Sequence, residues 1–151
     1  MEYTEIIMAA RKRIAVVAHD KMKPELFAWV EENRELLSRH TLYATGTTGR
    51  LLEERVGIPV HRLESGPLGG DQQLGAKIAE AEIDILLFFW DPLEAQPHDP
   101  DVRALLRIAA VWNVPVAQSR ASADFMVSSP LMGSEYPRRV RTYEEYRGRK
   151  T

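Results

Sequence analysis

The run Asp84-Ile-Leu-Leu-Phe-Phe-Trp90 places apolar side chains at every position after the first. A strand accepts such a run only where both of its faces are buried, and a parallel sheet covered by helices on two sides provides that burial. Four shorter runs have related character: Ile14 to Ala18, Thr41 to Thr45, Val60 to Ser65 and Pro115 to Ser119. Helical periods alternate with them. Lys23 to Arg39 repeats apolar residues at Leu26, Trp29, Val30, Leu36 and Leu37, with Pro24 suited to a first turn. Gly49 to Gly57, Asp71 to Glu82, Asp101 to Asn113 and Ser122 to Ser129 read as further helices. Five strands alternating with helices predict a single-domain, three-layer α/β/α fold around a central, mainly parallel five-stranded sheet, with right-handed crossovers.

A chain of 151 residues, 44% of them hydrophobic, fits one domain with a sizeable core. Its net charge of −2 provides no basic field for nucleic acid. The absence of cysteine excludes disulfides and thiolate metal sites, and is compatible with a cytoplasmic location. The stretch from Met1 to Arg13 lacks the apolar run of a signal peptide, and no segment approaches a membrane span. Residues 138–151 read as a basic C-terminal arm.

In folds of this kind ligands bind beyond the carboxyl ends of the strands. The first strand ends in His19-Asp20, with Lys23 just beyond, and the second in Thr45-Gly-Thr-Thr-Gly49. The third leads into Ser65-Gly-Pro-Leu-Gly-Gly-Asp-Gln-Gln73, and the fourth into Asp91-Pro92 and then Pro97-His-Asp-Pro-Asp101. The opposite rim has ordinary turns. Two glycine-rich turns carrying hydroxyls, each opening a helix, favour a small phosphate ester, and Lys23 adds a full charge. The Gly-Lys-Ser/Thr ending of a nucleotide-binding loop is absent. A lone Asp at a strand end is most often a helix cap. Here Asp20, Asp71, Asp91, Asp99 and Asp101 gather with His19 and His98 beside the phosphate turns. That grouping favours proton abstraction next to a carbonyl, which needs a carboxylate base and a donor for the enolate oxygen. Gln72 and Gln73 either position Asp71 or simply begin its helix.

Taken in order, the segments VAHD with Lys23, YATGTTG, SGPLGGDQQLGA, DILLFFWDPLEAQPHDPDVRALLR and WNVPVA resemble the methylglyoxal synthase family, over a span from Ile14 to Ser129. The resemblance implies a carbon–oxygen lyase that turns dihydroxyacetone phosphate into methylglyoxal and inorganic phosphate, with no cofactor and no metal. It makes Asp71 the base and His98 the donor to the enediolate, with Asp20 and Asp101 as supporting carboxylates. His19, Lys23, Thr45, Gly46, Thr47, Thr48, Ser65 and Gly66 become substrate and phosphate contacts, and Asp91 stands behind them. It also implies a cytoplasmic homohexamer inhibited cooperatively by inorganic phosphate, with a C-terminal arginine reaching a neighbouring subunit's phosphate site. Arg149 is the first candidate for that contact and Arg147 the second, with Tyr143 and Tyr146 packing to anchor the segment. No nucleic-acid or membrane partner is expected. Two competing readings remain. One is a non-enzymatic regulatory module that binds a phosphorylated metabolite and needs no acid–base set. The other is a metal-dependent phosphohydrolase on the same rim.

Overall fold

The computed structural model describes residues 2–94 and 99–148. The first strand, β1 (Tyr3–Met8), stands apart from the central sheet. That sheet is built from β2 (Arg13–Ala18), β3 (Thr41–Ala44), β4 (His61–Arg62), β5 (Ile85–Phe89) and β6 (Val116–Ala117). All pairings are parallel and the strand order is β4-β3-β2-β5-β6. The two most apolar strands lie together at the centre, in register from Ile14 opposite Ile85 to Ala18 opposite Phe89.

Alternation along these strands divides the core in two. Ile14, Val16, Leu87 and Phe89 face one side, where they meet Leu26, Trp29 and Val30 of α1 (Lys23–Glu32), Leu52 of α3 (Gly46–Arg55) and Val127 of α6 (Arg120–Val127). Ala15, Val17, Leu86 and Phe88 face the other. There they meet Leu74 and Ile78 of α4 (Gly70–Ala79) and Val102, Leu105 and Ala109 of α5 (Asp99–Val111). This is the three-layer arrangement that the apolar runs predict. Each fully buried Leu, Ile or Val contributes about 1.5–3 kcal/mol of hydrophobic stabilisation. Among the described residues no helix is long and apolar enough to cross a membrane.

Several boundaries differ from the sequence expectation. The helix expected from Lys23 to Arg39 is two, α1 and a short α2 (Arg34–Leu37). Asn33 lies between them at φ −109°, ψ 16°, and its side-chain Nδ2 donates to Trp29 O at 2.8 Å, competing with the backbone ladder. The third strand is two residues long instead of six. The glycine–threonine turn after β3 is already the first turn of α3.

A further pair of strands has no counterpart in the sequence reading. β1 pairs antiparallel with β7 (Tyr136–Arg141), Tyr3 opposite Arg141 and Met8 opposite Tyr136. The start of the basic C-terminal arm, residues 138–141, therefore lies within a ladder. Arg138 and Val140 point inward, and the Arg138 guanidinium is buried with Nη1 donating to Trp112 O. Beyond it, Tyr143 anchors the chain through its hydroxyl, which donates to Val111 O at 2.6 Å, and through its ring, edge-on to Trp112 at 5.6 Å. Tyr146, in α7 (Glu144–Arg147), is exposed.

At the opposite end of the sheet from the strand tips, His40 is buried and its Nδ1 accepts the Lys12 backbone N–H at 2.9 Å. Burial lowers its pKa from the ordinary value of 6.5, and the charges of Lys12, Arg11 and Arg39 act in the same direction. The folded protein thus binds a proton here less readily than the unfolded chain. This contribution to stability is present above the unfolded pKa and is lost as the pH falls below it. His40→Asn keeps an acceptor for Lys12 but does not titrate. Urea unfolding at pH 7 and pH 5 should show wild type losing more stability on acidification than the variant. Equal losses would remove His40 as a source of acid sensitivity.

Candidate active site

Three chain segments leave the sheet at its carboxyl rim and turn in nearly the same way. His19 caps the 3-10 turn before α1 at φ −65°, ψ 156°, and Thr45 caps α3 at φ −65°, ψ 156°. Ser65, beyond β4, caps the 3-10 turn Gly66–Leu68 at φ −63°, ψ 155°. Each extended cap hands the chain to a helical turn whose first N–H groups precede the helix's own ladder. In α3 the ladder begins with Gly49 N–H donating to Thr45 O, so Thr47 and Thr48 lie ahead of it. The positive ends of α1, α3 and α4 share this rim.

Between these turns lies a cleft of about 430 Å³. Its walls include His19, Asp20 and Lys23 from the first segment, Thr45, Thr47 and Thr48 from the second, and Ser65, Gly66 and Asp71 from the third. Nine residues singled out from sequence are thus brought together. Val17, Ala18 and Phe88 form the floor and Pro67 part of the wall, all four missed in the sequence reading. The signal for the floor was present, because Val17 and Phe88 are inward positions at the tips of the two central strands. The ring of Phe88 meets His19 edge-on, with centroids 5.2 Å apart and planes at 83°.

Asp71 is buried in the first turn of α4. The two glycines before it serve different ends. Gly69 adopts φ +104°, a left-handed conformation that L side chains rarely adopt. Gly70 has an ordinary φ but no space, for a Cβ there would lie 2.1 Å from Glu64 O and 2.9 Å from Thr45 Cγ2. The pair lets α4 begin directly against the end of β4 and brings Asp71 to the cleft.

His19 is oriented from behind. Its Nδ1 accepts the Asp91 backbone N–H at 3.0 Å, so in the neutral ring the proton sits on Nε2. Asp91 is itself buried, and its Oδ1 accepts Leu93 N–H at 3.1 Å. Lys23 Nζ contacts Asp20 Oδ1 at 2.7 Å, with the lysine largely covered and the carboxylate exposed. Gly46, expected to contact phosphate, has its N–H committed to Glu64 O at 3.2 Å and acts as a strut between α3 and the end of β4. Asp101 is half-buried in the first turn of α5 and is not among the residues found lining the cleft. His98 and Arg149 lie outside the described residues. Arg147 folds back on its own turn, Nη1 donating to Thr142 O at 2.7 Å.

Fold and cleft together define an α/β protein with a small-molecule site at the strand tips, suited to an anion and holding one buried carboxylate against it. The sequence profile of the MGS-like domain matches residues 25–118. Methylglyoxal synthases of Aliivibrio fischeri (strain MJ11) and Yersinia pestis (strain Pestoides F) are each 59% identical to the chain over 146 residues, covering 97% of it and 97% and 95% of themselves. The crystal structure of methylglyoxal synthase from Elizabethkingia anophelis NUHP1 superposes with a TM-score of 0.94 at 50% identity, covering 100% of this chain and 98% of that one. The chain belongs to the methylglyoxal synthase family.

The contrast between Gly70 and Gly75 within α4 tests the packing argument. A Cβ at Gly75 meets nothing within 4 Å. Gly75→Ala should therefore stabilise the protein by about 0.5–1 kcal/mol in urea unfolding. Gly70→Ala should destabilise it by about 1–3 kcal/mol, as overpacking does, and should abolish binding of a phosphate ester. Two variants of equal stability would contradict the contact geometry.

Proposed function

We propose that the chain is a carbon–oxygen lyase that converts dihydroxyacetone phosphate into methylglyoxal and inorganic phosphate. The observation that carries this reading is the buried Asp71 carboxylate, which shares one cleft with Lys23 and the hydroxyl-bearing turns at Thr45 and Ser65. The phosphate group lies among the donors of Thr47, Thr48, Ser65 and Gly66, with Lys23 supplying a full charge. Asp20, which contacts Lys23 Nζ, yields that charge as the phosphate arrives.

Asp71 removes a proton from the hydroxymethyl carbon. The electrons of that C–H bond form the carbon–carbon double bond of an enediolate. His19 offers its Nε2–H to a developing oxygen charge, and the resemblance gives His98 the same duty. The C–O bond to phosphate then breaks, its electron pair leaving on the phosphate oxygen while the enediolate's double bond shifts to the terminal carbon and the hydroxymethyl O–H gives up its proton to become the aldehyde carbonyl. The resulting enol takes up a proton at its terminal carbon to become methylglyoxal. Atoms balance without water, oxidant or reductant. Elimination requires the breaking C–O bond to stand perpendicular to the enediolate plane, so the phosphate has to be held at a fixed angle to the carbons. Asp101 and Asp91 support the oxygens and His19 from outside the cleft.

Inhibition by inorganic phosphate follows from the same donors. Its cooperativity, a homohexameric and cytoplasmic protein, and chemistry without cofactor or metal belong to the reading through the family resemblance. A regulatory module that merely binds a phosphorylated metabolite has no use for a buried base, which is why the enzymatic reading is preferred.

The test is incubation of the protein with dihydroxyacetone phosphate and EDTA, with assay of methylglyoxal and free phosphate. Equal amounts of the two are expected. Release of dihydroxyacetone in their place, or loss of turnover with chelator, would indicate a phosphohydrolase. Absence of turnover would favour the binding module. Asp71→Asn should lower kcat by at least about 100-fold, the lower range for losing a general base, with little change in affinity for a phosphate ester.

A further inference from the structure

Gln73 lies outside the walls of the cleft and two residues beyond Asp71. Its side chain turns back across nine residues, and Oε1 accepts the Glu64 backbone N–H at 2.8 Å. The other side of the same residue is held as well, since Glu64 O accepts Gly46 N–H at 3.2 Å. Glu64 is thus gripped through its N–H by α4 and through its C=O by the first turn of α3. The next residue, Ser65, accepts Leu68 N–H and Gly70 N–H at 3.0 Å each on its carbonyl. Ser65 and Gly66, which line the cleft, are therefore placed by two helices, and Gln73 joins them to the helix that carries Asp71.

This bond is exposed. If the glutamine oxygen is removed, water can satisfy the Glu64 N–H, and the cost to folding is small. What water cannot supply is a fixed distance between the phosphate turn and the base. Resting on the lyase reading above, we infer that Gln73 is a positioning residue that sets how the substrate's phosphate is held relative to Asp71, and so sets the division of the enediolate between elimination and reprotonation. An enediolate whose C–O bond is turned from the perpendicular persists longer and is reprotonated at carbon, returning the starting ketone.

The experiment is turnover of dihydroxyacetone phosphate in D2O, comparing wild type, Gln73→Met and Gln73→Glu. The methionine is of similar length and a much poorer acceptor, whereas the glutamate retains a strong one. Reprotonation from solvent places deuterium on the hydroxymethyl carbon of recovered substrate, so the ratio of that label to methylglyoxal formed reports the division directly. Gln73→Met should show that ratio raised and kcat lowered by about 10-fold, within the range that sub-ångström to 1 Å misplacements produce. Its thermal midpoint should stay near that of wild type. Gln73→Glu should recover most of the wild-type ratio. Wild-type turnover with an unchanged ratio in Gln73→Met overturns the positioning role while leaving the lyase reading intact. So does a Gln73→Glu variant as impaired as the methionine. Wild type that forms no methylglyoxal overturns the lyase reading and the inference with it.

Discussion

Beside the cleft the start of α4 presses against the carbonyl of Glu64, where even a methyl group at Gly70 would collide. Much of the site follows from that contact. The same carbonyl receives the Gly46 N–H, so α3 and α4 are referenced to one atom at the end of β4. The left-handed Gly69 makes the approach possible by turning the chain tightly enough for a new helix to start at once. Asp71 then enters the cleft on the first turn of a packed helix, with Leu74 and Ile78 of that helix fixed in the core beneath. A carboxylate placed in this way has little freedom, which suits a base that acts on one carbon of a small molecule.

Charge is arranged around that fixed point with few full charges. Three helix amino termini contribute partial positive charge, and Lys23 is the cation among the cleft-lining residues found. Its contact with Asp20 pairs that cation within the protein. In the proposed reaction the incoming phosphate replaces the exposed carboxylate as the lysine's partner. A backbone N–H holds the His19 ring through Nδ1, so the fold itself sets its donor face.

The central sheet was legible because burial on both faces leaves uninterrupted apolar runs, as in β5. The rim was legible for a related reason: Gly, Thr, His and Asp cluster where no core demands them. Other features left weaker traces. β7 alternates correctly, but its inward positions are Arg138 and Val140, and a buried arginine disguises an apolar face as a basic tail. The break at Asn33 depends on a side chain competing for Trp29 O, which sequence period does not register. Phe88 and Val17 look like core from sequence, since a strand residue at the floor of a cleft has the same composition as one beneath a helix. The duties of Gly46, Asp20 and Gln73 rest on particular hydrogen bonds to backbone or to each other's neighbours, and such bonds appear only with coordinates.

The central claim is that one cleft holds the phosphate at the helix termini and the reacting carbons against Asp71. A crystal structure with 2-phosphoglycolate, whose planar carboxylate imitates the enediolate, tests this most directly. The phosphate oxygens should lie within hydrogen-bond distance of Lys23 Nζ and the first-turn donors at Thr47 and Thr48. The Asp71 carboxylate should face the planar group at roughly 3 Å. A phosphate bound elsewhere, or an Asp71 side chain turned away from the ligand, would contradict the account.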